Sequence, residues 1–365
     1  MRYFETKYNC VAVTGLHRGE NPQSGSAIIR SIRRAYPSIK IIGLCYDPME
    51  SGIYSKEYDY ADESYLLPLP FKGHDILYDR LKDILLISKF DLVIPCLDSE
   101  IENFINIKNR LNKIGVSVIL PTSISHNLRS KLNLPSFCKD NGINVPDTQV
   151  VNNIDEAYYF AEKNGYPFYV KGRFYEAHLA YSLQQIEEYF LKIRSVWGLP
   201  VIVQQCLLGE EYNVIGLGDG KGSISEYCQI RKLLRTSTGK GFAGVVILDP
   251  ILKKISQKII KKLNWIGPFE LEFIKPSHAS YYLLEINPRF PAWVDFPSQL
   301  GCNLPAKLIS MLEGNKEELS KHCKPGNIFV RHCIDIAGDM SELADLCIDG
   351  VKISKPSSFS SKICQ

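Results

Sequence analysis

The stretch YYLLEINPRFPAW, residues 281–293, places an acid, an amide and a guanidinium at every second position: Glu285, Asn287 and Arg289. Just upstream, GPFELEFI carries Glu270 and Glu272 in the same alternation. Alternate side chains of a strand share a face, so these two acids point one way and Phe269, Leu271 and Phe273 the other. The intervening KPSHAS is a turn, which makes the two runs a hairpin. Pairing Ile274 opposite Tyr281 sets Glu272 across from Leu283 and Glu270 across from Glu285. Leu283, Glu285 and Asn287 then share a face, with Leu284 and Ile286 anchoring the other. Carboxylates gathered on one face repel each other unless a cation compensates, and all-oxygen donors suit a hard ion such as Mg²⁺. The alternative is a solvent-facing polar strand whose acids are spaced by the pleat alone. Arg289, just past the acids, either neutralises them or grips phosphate oxygens.

Such a hairpin needs a scaffold. Residues 10–120 alternate apolar runs (CVAVTG, IIGLCYD, ESYLLP, DLVIPCLD, VSVILP) with helical stretches, a pattern that predicts a doubly wound parallel sheet. The first turn carries Gly15, Gly19 and Gly25 but lacks the GxGxxG spacing, so a tight structural turn accounts for it as well as a ligand loop does. A helical segment follows Pro121 and stops at Asn141-Gly142. Beyond it the sequence predicts a strand at TQVV, a helix from Asp155 to about Asn164, a strand at FYVK and a helix near 183–194. From Pro200 to Lys232 it reads as antiparallel strands broken by glycines.

Composition narrows the classes. The chain has 365 residues, 45% of them hydrophobic, enough for two or three cored units. A formal charge of +3 leaves no broad electrostatic footprint for nucleic acid. No apolar run reaches signal-peptide or membrane-span length, so a cytoplasmic protein is expected. The 11 cysteines are scattered singly without a CxxC pair and read as buried small hydrophobes rather than zinc ligands or disulfides. No Ser/His/Asp or Cys/His constellation stands out.

With these pieces in order, the sequence resembles the ATP-grasp superfamily of ligases, in the branch of carbamoyl phosphate synthetase and biotin carboxylase. YPFYVKG, VIVQQCLLGEEYNV, GPFELEFI and LLEINPR carry the resemblance, which covers about residues 10–315. It implies an α/β and α+β architecture: an N-terminal doubly wound parallel sheet (pre-ATP-grasp) over residues 1–122, then a two-subdomain ATP-grasp fold. The small subdomain with its linker helices would span 123–200, the large subdomain 201–320, and a C-terminal extension 321–365. The cofactors implied are ATP with Mg²⁺ or Mn²⁺. By resemblance Lys131 and Lys171 hold phosphates, Gln204, Gln205 and Leu207 line the adenine hinge, and Glu211 binds ribose. Glu272, Glu285 and Asn287 ligate the metal. Arg289 faces the transferred phosphate, with Arg231 and Lys240 as further catalytic candidates.

Departures exist: KGRFYEAHLAYS lacks the glycine-rich phosphate loop common after the second lysine. RTSTGKGFAG, residues 235–244, with three glycines and Lys240, is the candidate to close over the phosphates in its place. No Met-Lys biotinyl signal follows. Trp293 and Phe296 fit core packing or an acceptor-side contact. The function implied is an ATP-dependent carboxylate-amine ligase that activates a carboxylate as an acyl phosphate and releases ADP and phosphate. Its partners would be a small carboxylate and an amine, with no nucleic acid, no membrane and possible homodimer formation. A bicarbonate-activating carboxylase or carbamoyl-phosphate-type enzyme, or a degenerate ATP-binding regulator, are the alternatives.

Overall fold

A computed structural model describes residues 6–17, 19, 21–56, 59–173, 176–236, 239, 241–277, 279–314 and 323–353. The N-terminal domain contains β1 (Cys10–Thr14), α1 (Gly25–Ala35), β2 (Lys40–Cys45), β3 (Glu63–Leu66), α2 (His74–Ile87), β4 (Leu92–Ile94) and α3 (Asp98–Lys113). Its four strands run parallel in the order β3-β2-β1-β4. All five residues of β1 are buried, because helices cover both faces of a parallel sheet. Val11, Val13 and Ile41 pack toward Ile28, Ile29 and Ile32 of α1. Ala12, Ile42 and Leu44 pack toward Leu81 of α2 and Phe104 of α3 on the other face. The sheet is doubly wound, as expected. The run VSVILP does not add a fifth parallel strand; it contributes a single bridge from Ser117 to Leu92.

Two short helices, α4 (Ser123–Leu128) and α5 (Leu134–Asp140), lead into a smaller unit. This comprises β5 (Thr148–Val151), α6 (Ile154–Asn164), β6 (Phe168–Lys171), β7 (Ala177–Ala180), α7 (Leu183–Trp197) and β8 (Val201–Gln205). Its antiparallel sheet has the order β5-β8-β6-β7. Its last strand, β8, ends at Gln205. β7 was not foreseen from the sequence.

The larger unit follows with β9 (Glu210–Asp219), β10 (Ile224–Arg235), β11 (Gly241–Val246), α8 (Pro250–Leu263), β12 (Ile266–Lys275), β13 (Tyr282–Asn287), α9 (Asp295–Gln299), α10 (Leu304–Leu312) and β14 (Ile328–Val330). The six strands form one antiparallel sheet, β13-β12-β9-β10-β11-β14. The chain ends its described course with α11 (Met340–Asp349) and β15 (Val351–Ile353). β15 returns to pair antiparallel with β3, while β14 joins the six-stranded sheet, so the described residues after 320 contribute to two sheets.

One core runs through both large domains: Val13 and Ile29 share a cluster with Ile215, Ile230, Phe290 and Leu304. Polar contacts reinforce this seam. Asp295, 4% exposed, accepts from Arg30, Ser31 and Arg34 of α1. This packing fixes the ends of β1 and β4 against the six-stranded sheet, which is what brings residues so distant in sequence to one site. Among the described residues no helix is long and apolar enough to cross a membrane.

Candidate active site

The acids lie on the β12–β13 hairpin, but not in the register expected. Ile274 pairs with Tyr282, Glu272 with Glu285, and Glu270 with Asn287. Two single-residue shifts produce this. The turn is one residue longer than supposed, and a β-bulge between Glu272 and Phe273 places an extra residue, Leu284, in β13. Either shift alone would turn the acids to the opposite face; together they keep the face and change the partners. The bulge also changes which apolar residues anchor the strand. Leu283 and Ile286, three apart, both enter the core beneath β12, so the expectation that Leu283 shares a face with Glu285 while Leu284 packs inside is overturned.

Glu272 and Glu285 thus face each other directly, a like-charge pair that needs compensation. It comes from Lys232 on β10, whose Nζ donates to Glu272 Oε2 at 2.7 Å and to Glu211 Oε2 at 3.1 Å. Only 4% of the Lys232 side chain is exposed. Burial would lower its pKa, but Glu272 and Glu211 outweigh that and hold it above the ordinary lysine value. On Glu272, burial is likewise outweighed, chiefly by Lys232, and its pKa falls. The Asn287 Nδ2 group donates to Glu272 Oε1 and Glu270 Oε2, both at 3.0 Å. Glu285 accepts no hydrogen bond or ion pair among the described residues, although its charge acts on Lys171 and Arg289.

Glu270 plays a different part. It is 4% exposed and accepts from Asn213 Nδ2 at 2.6 Å and Trp293 Nε1 at 3.0 Å in addition to Asn287. Burial raises its pKa, with the Glu272 charge adding to the effect. Trp293 also stacks on Phe329, with ring centroids 6.1 Å apart, so it belongs to the packing that holds Glu270. Phe296 packs on the same ring, 5.1 Å away.

Arg289, at the end of the hairpin, is anchored from the N-terminal domain: its Nε donates to Asp98 Oδ2 at 2.8 Å. Its Nη1 donates to the Phe290 carbonyl at 3.3 Å and lies 4.0 Å from Glu270. Arg129, just after α4, approaches the other Asp98 oxygen at 3.5 Å. Burial would raise the Asp98 pKa, but Arg289 and Arg129 together hold it below the usual carboxylate range.

From the small subdomain, Lys171 at the end of β6 donates to Gln204 Oε1 at 2.5 Å, and Gln204 in turn donates to Thr148 at 2.9 Å. These polar groups share the sheet face opposite Phe168, Val170, Val201 and Val203, which fill the subdomain core. Burial, then the nearby Lys131 charge, pushes Lys171 down to about 8, against the pull of Glu285. Lys131, Lys171 and Glu285 are therefore electrostatic neighbours. Gln205 ends β8, its N–H donating to the Asp147 carbonyl at 2.8 Å, and Leu207 follows on the connection to β9. Glu211 is held by Lys232 and Arg235.

The structure does not bring Arg231 to this face. Side chains alternate along β10, so Arg231 sits opposite Lys232 and pairs with Glu210 at 2.6 Å near the surface. Lys240 lies outside the described residues. Sequence reading missed Lys232, Asp98 and Arg129; the one available signal was the alternation of β10, which puts Lys232 rather than Arg231 in phase with the apolar Cys228 and Ile230 of the shared core. Asn21, in the first glycine turn, accepts from Thr236, the residue after β10, at 3.4 Å.

Among the described residues, no group of three or more His, Cys, Asp and Glu side chains forms a ready metal cage. The hairpin offers instead two facing carboxylates and an amide, with the Lys232 ammonium on one of the acids. That donor set fits a hard divalent cation, and the ammonium marks where positive charge is required.

No family model matches the sequence. The arginine-specific large chain of carbamoyl phosphate synthase from Halalkalibacterium halodurans is 28% identical over 163 residues, a match covering 40% of this chain and 15% of that one. Among solved structures, the biotin carboxylase domain of the Hydrogenobacter thermophilus 2-oxoglutarate carboxylase, in complex with MgADP, ADP and bicarbonate, superposes with a TM-score of 0.67 at 16% identity. That alignment covers 89% of this chain and 74% of the other. An L-amino acid ligase from Bacillus licheniformis superposes with a TM-score of 0.66 at 15% identity, covering 89% and 79%.

Proposed function

We propose that this chain, which has the ATP-grasp fold with a doubly wound N-terminal domain, is an ATP-dependent carboxylate-amine ligase. The observation that carries the reading is the facing pair Glu272 and Glu285, with the Lys232 ammonium on Glu272 and the charge of Glu285 acting on Lys171 and Arg289. A sheet face that gathers both charges in a partly buried site suits a polyphosphate and its counter-ion better than it suits solvent.

In this reading the carboxyl end of β8 and the connection through Leu207 receive the adenine, with Gln204 and Gln205 at the rim, and Glu211 takes the ribose. Lys131 and Lys171 balance the phosphates. Glu272, Glu285 and Asn287 would hold Mg²⁺ or Mn²⁺, which neutralises phosphate charge when bound. A carboxylate oxygen of the acid attacks the γ-phosphorus and ADP leaves. The amine then attacks the acyl carbon and phosphate departs. Arg289 and Lys232 stabilise charge that develops on the transferred group, and no protein nucleophile is required.

The reading is tested by incubating Mg-ATP with a panel of organic acids, amino acids and amines. Acid- and amine-dependent release of ADP and phosphate supports it; failure of every pair, with no binding of Mg-ATP by calorimetry, contradicts it. Bicarbonate is the competing acid, favoured by the partial identity with carbamoyl phosphate synthase. ADP release that needs bicarbonate but no amino acid would select that reading.

A further inference from the structure

Asp98 is the first residue of α3 and belongs to the N-terminal domain, 191 positions from the arginine it contacts. It lies at the carboxyl end of β4, the edge of a parallel sheet where α/β folds place working residues. Its two oxygens are divided between two guanidiniums, Arg289 at 2.8 Å and Arg129 at 3.5 Å. The contact with Arg289 is to Nε alone. A carboxylate that only paid off the charge of an arginine would favour the two-pronged geometry of parallel N–H bonds. Here Nε is taken, Nη1 bonds the adjacent Phe290 carbonyl, and Nη2 donates to no acceptor among the described residues. The Arg289 side chain is four-fifths buried, its guanidinium is pinned at its root, and Nη2 is an unused donor.

Resting on the functional reading above, we infer that Asp98 is a positioning residue: it fixes the plane of Arg289 so that its free Nη2 meets the transferred phosphoryl group, which makes the N-terminal domain part of the catalytic unit. A fixed donor costs no reorganisation when charge develops, whereas a mobile one must be ordered first. Arg129 supports this role by balancing the charge of Asp98, and it also reaches the Ile286 carbonyl of β13 at 3.5 Å. The position of α3 is thereby tied to the strand that carries Glu285.

The test uses the full chain with an acid and amine that support turnover. Asp98→Asn keeps the shape and an acceptor for Nε but loses the charge. It is expected to lower kcat about 20-fold or more while the calorimetric Kd for Mg-ATP changes less than threefold. Asp98→Glu should recover part of the loss. In an Arg289→Lys background, Asp98→Asn should add less than threefold, because a residue that acts through Arg289 has nothing left to position. Wild-type kcat in Asp98→Asn, or losses that multiply in the double variant, would overturn the inference and leave the functional reading standing. If the wild type itself turns over nothing, that reading fails. The Nε–H NMR signal of Arg289, identified by its loss in Arg289→Lys, then decides the inference: it must be slow to exchange in the wild type and fast in Asp98→Ala, which removes the acceptor, and an unchanged signal refutes the tie.

Discussion

Lys232 Nζ stands 2.7 Å from Glu272 Oε2, on one member of the carboxylate pair that Glu272 forms with Glu285. In the proposed reading the ammonium balances the charge of these acids as Mg²⁺ would with ATP bound. Lys232→Met should therefore destabilise the free protein by about 2 kcal/mol, since it leaves Glu211 and Glu272 without their shared partner in a partly buried site. Mg-ATP should raise the melting temperature of this variant more than that of the wild type. Calorimetric scans with and without Mg-ATP check both expectations, and equal shifts would show that Lys232 is not standing in for the metal.

Glu285 and Glu270 should respond oppositely to the same chemical change. Glu285→Gln relieves a like-charge contact and breaks no hydrogen bond among the described residues, so stability should hold or rise while turnover falls roughly 100-fold or more. Glu270→Gln swaps an acceptor for a donor against Asn213, Asn287 and Trp293, which should cost about 2 kcal/mol of stability. Urea denaturation and a steady-state assay on each variant separate the two roles.

The depressed Lys171 sets a pH dependence. Burial and Lys131 push it down to about 8, so below that pH it is charged and ready for phosphate. Above pH 8 the free protein must take up a proton to bind, and ATP affinity should fall by up to about tenfold per pH unit. The sign for folding is the reverse of a favourable ion pair. Between about 8 and the ordinary lysine value of about 10.4 the unfolded chain holds the proton and the folded chain does not, so this residue's contribution to stability improves as pH rises. Lys171→Arg should flatten the binding profile; titrations from pH 7 to 9.5 would show it.

Arg231→Gln should leave turnover within twofold and stability within about 0.5 kcal/mol, because its pair with Glu210 is a surface contact on the far side of the sheet. Lys232→Gln, one residue on, should be damaging. Comparing the two variants in one assay tests the assignment of faces along β10.

That one-residue difference shows how far the sequence could be read. Strand–helix alternation was enough to place the parallel sheet, and the alternation of Glu285, Asn287 and Arg289 was enough to mark the hairpin, because both patterns are local. The cross-strand partners were not, since the register depended on one extra turn residue and on the bulge at Leu284, for which no residue type gives a signal. Arg231 and Lys232 are chemically alike in sequence and differ only in phase. Asp98 was invisible for a further reason: its partner is supplied by tertiary packing between α3 and β13, and no periodicity within either segment encodes it. VSVILP reads as a strand from its β-branched residues, yet it forms only a bridge.

The central claim, that the acid is activated as an acyl phosphate, is tested most directly by oxygen transfer. An acid found active in the substrate panel is labelled with ¹⁸O in its carboxylate, turned over with Mg-ATP and its amine, and the products are analysed by mass spectrometry. An acyl-phosphate intermediate transfers one ¹⁸O atom per turnover to the released phosphate, with ADP as the nucleotide product. Label in AMP, accompanied by pyrophosphate, would mean that the acid is adenylated instead.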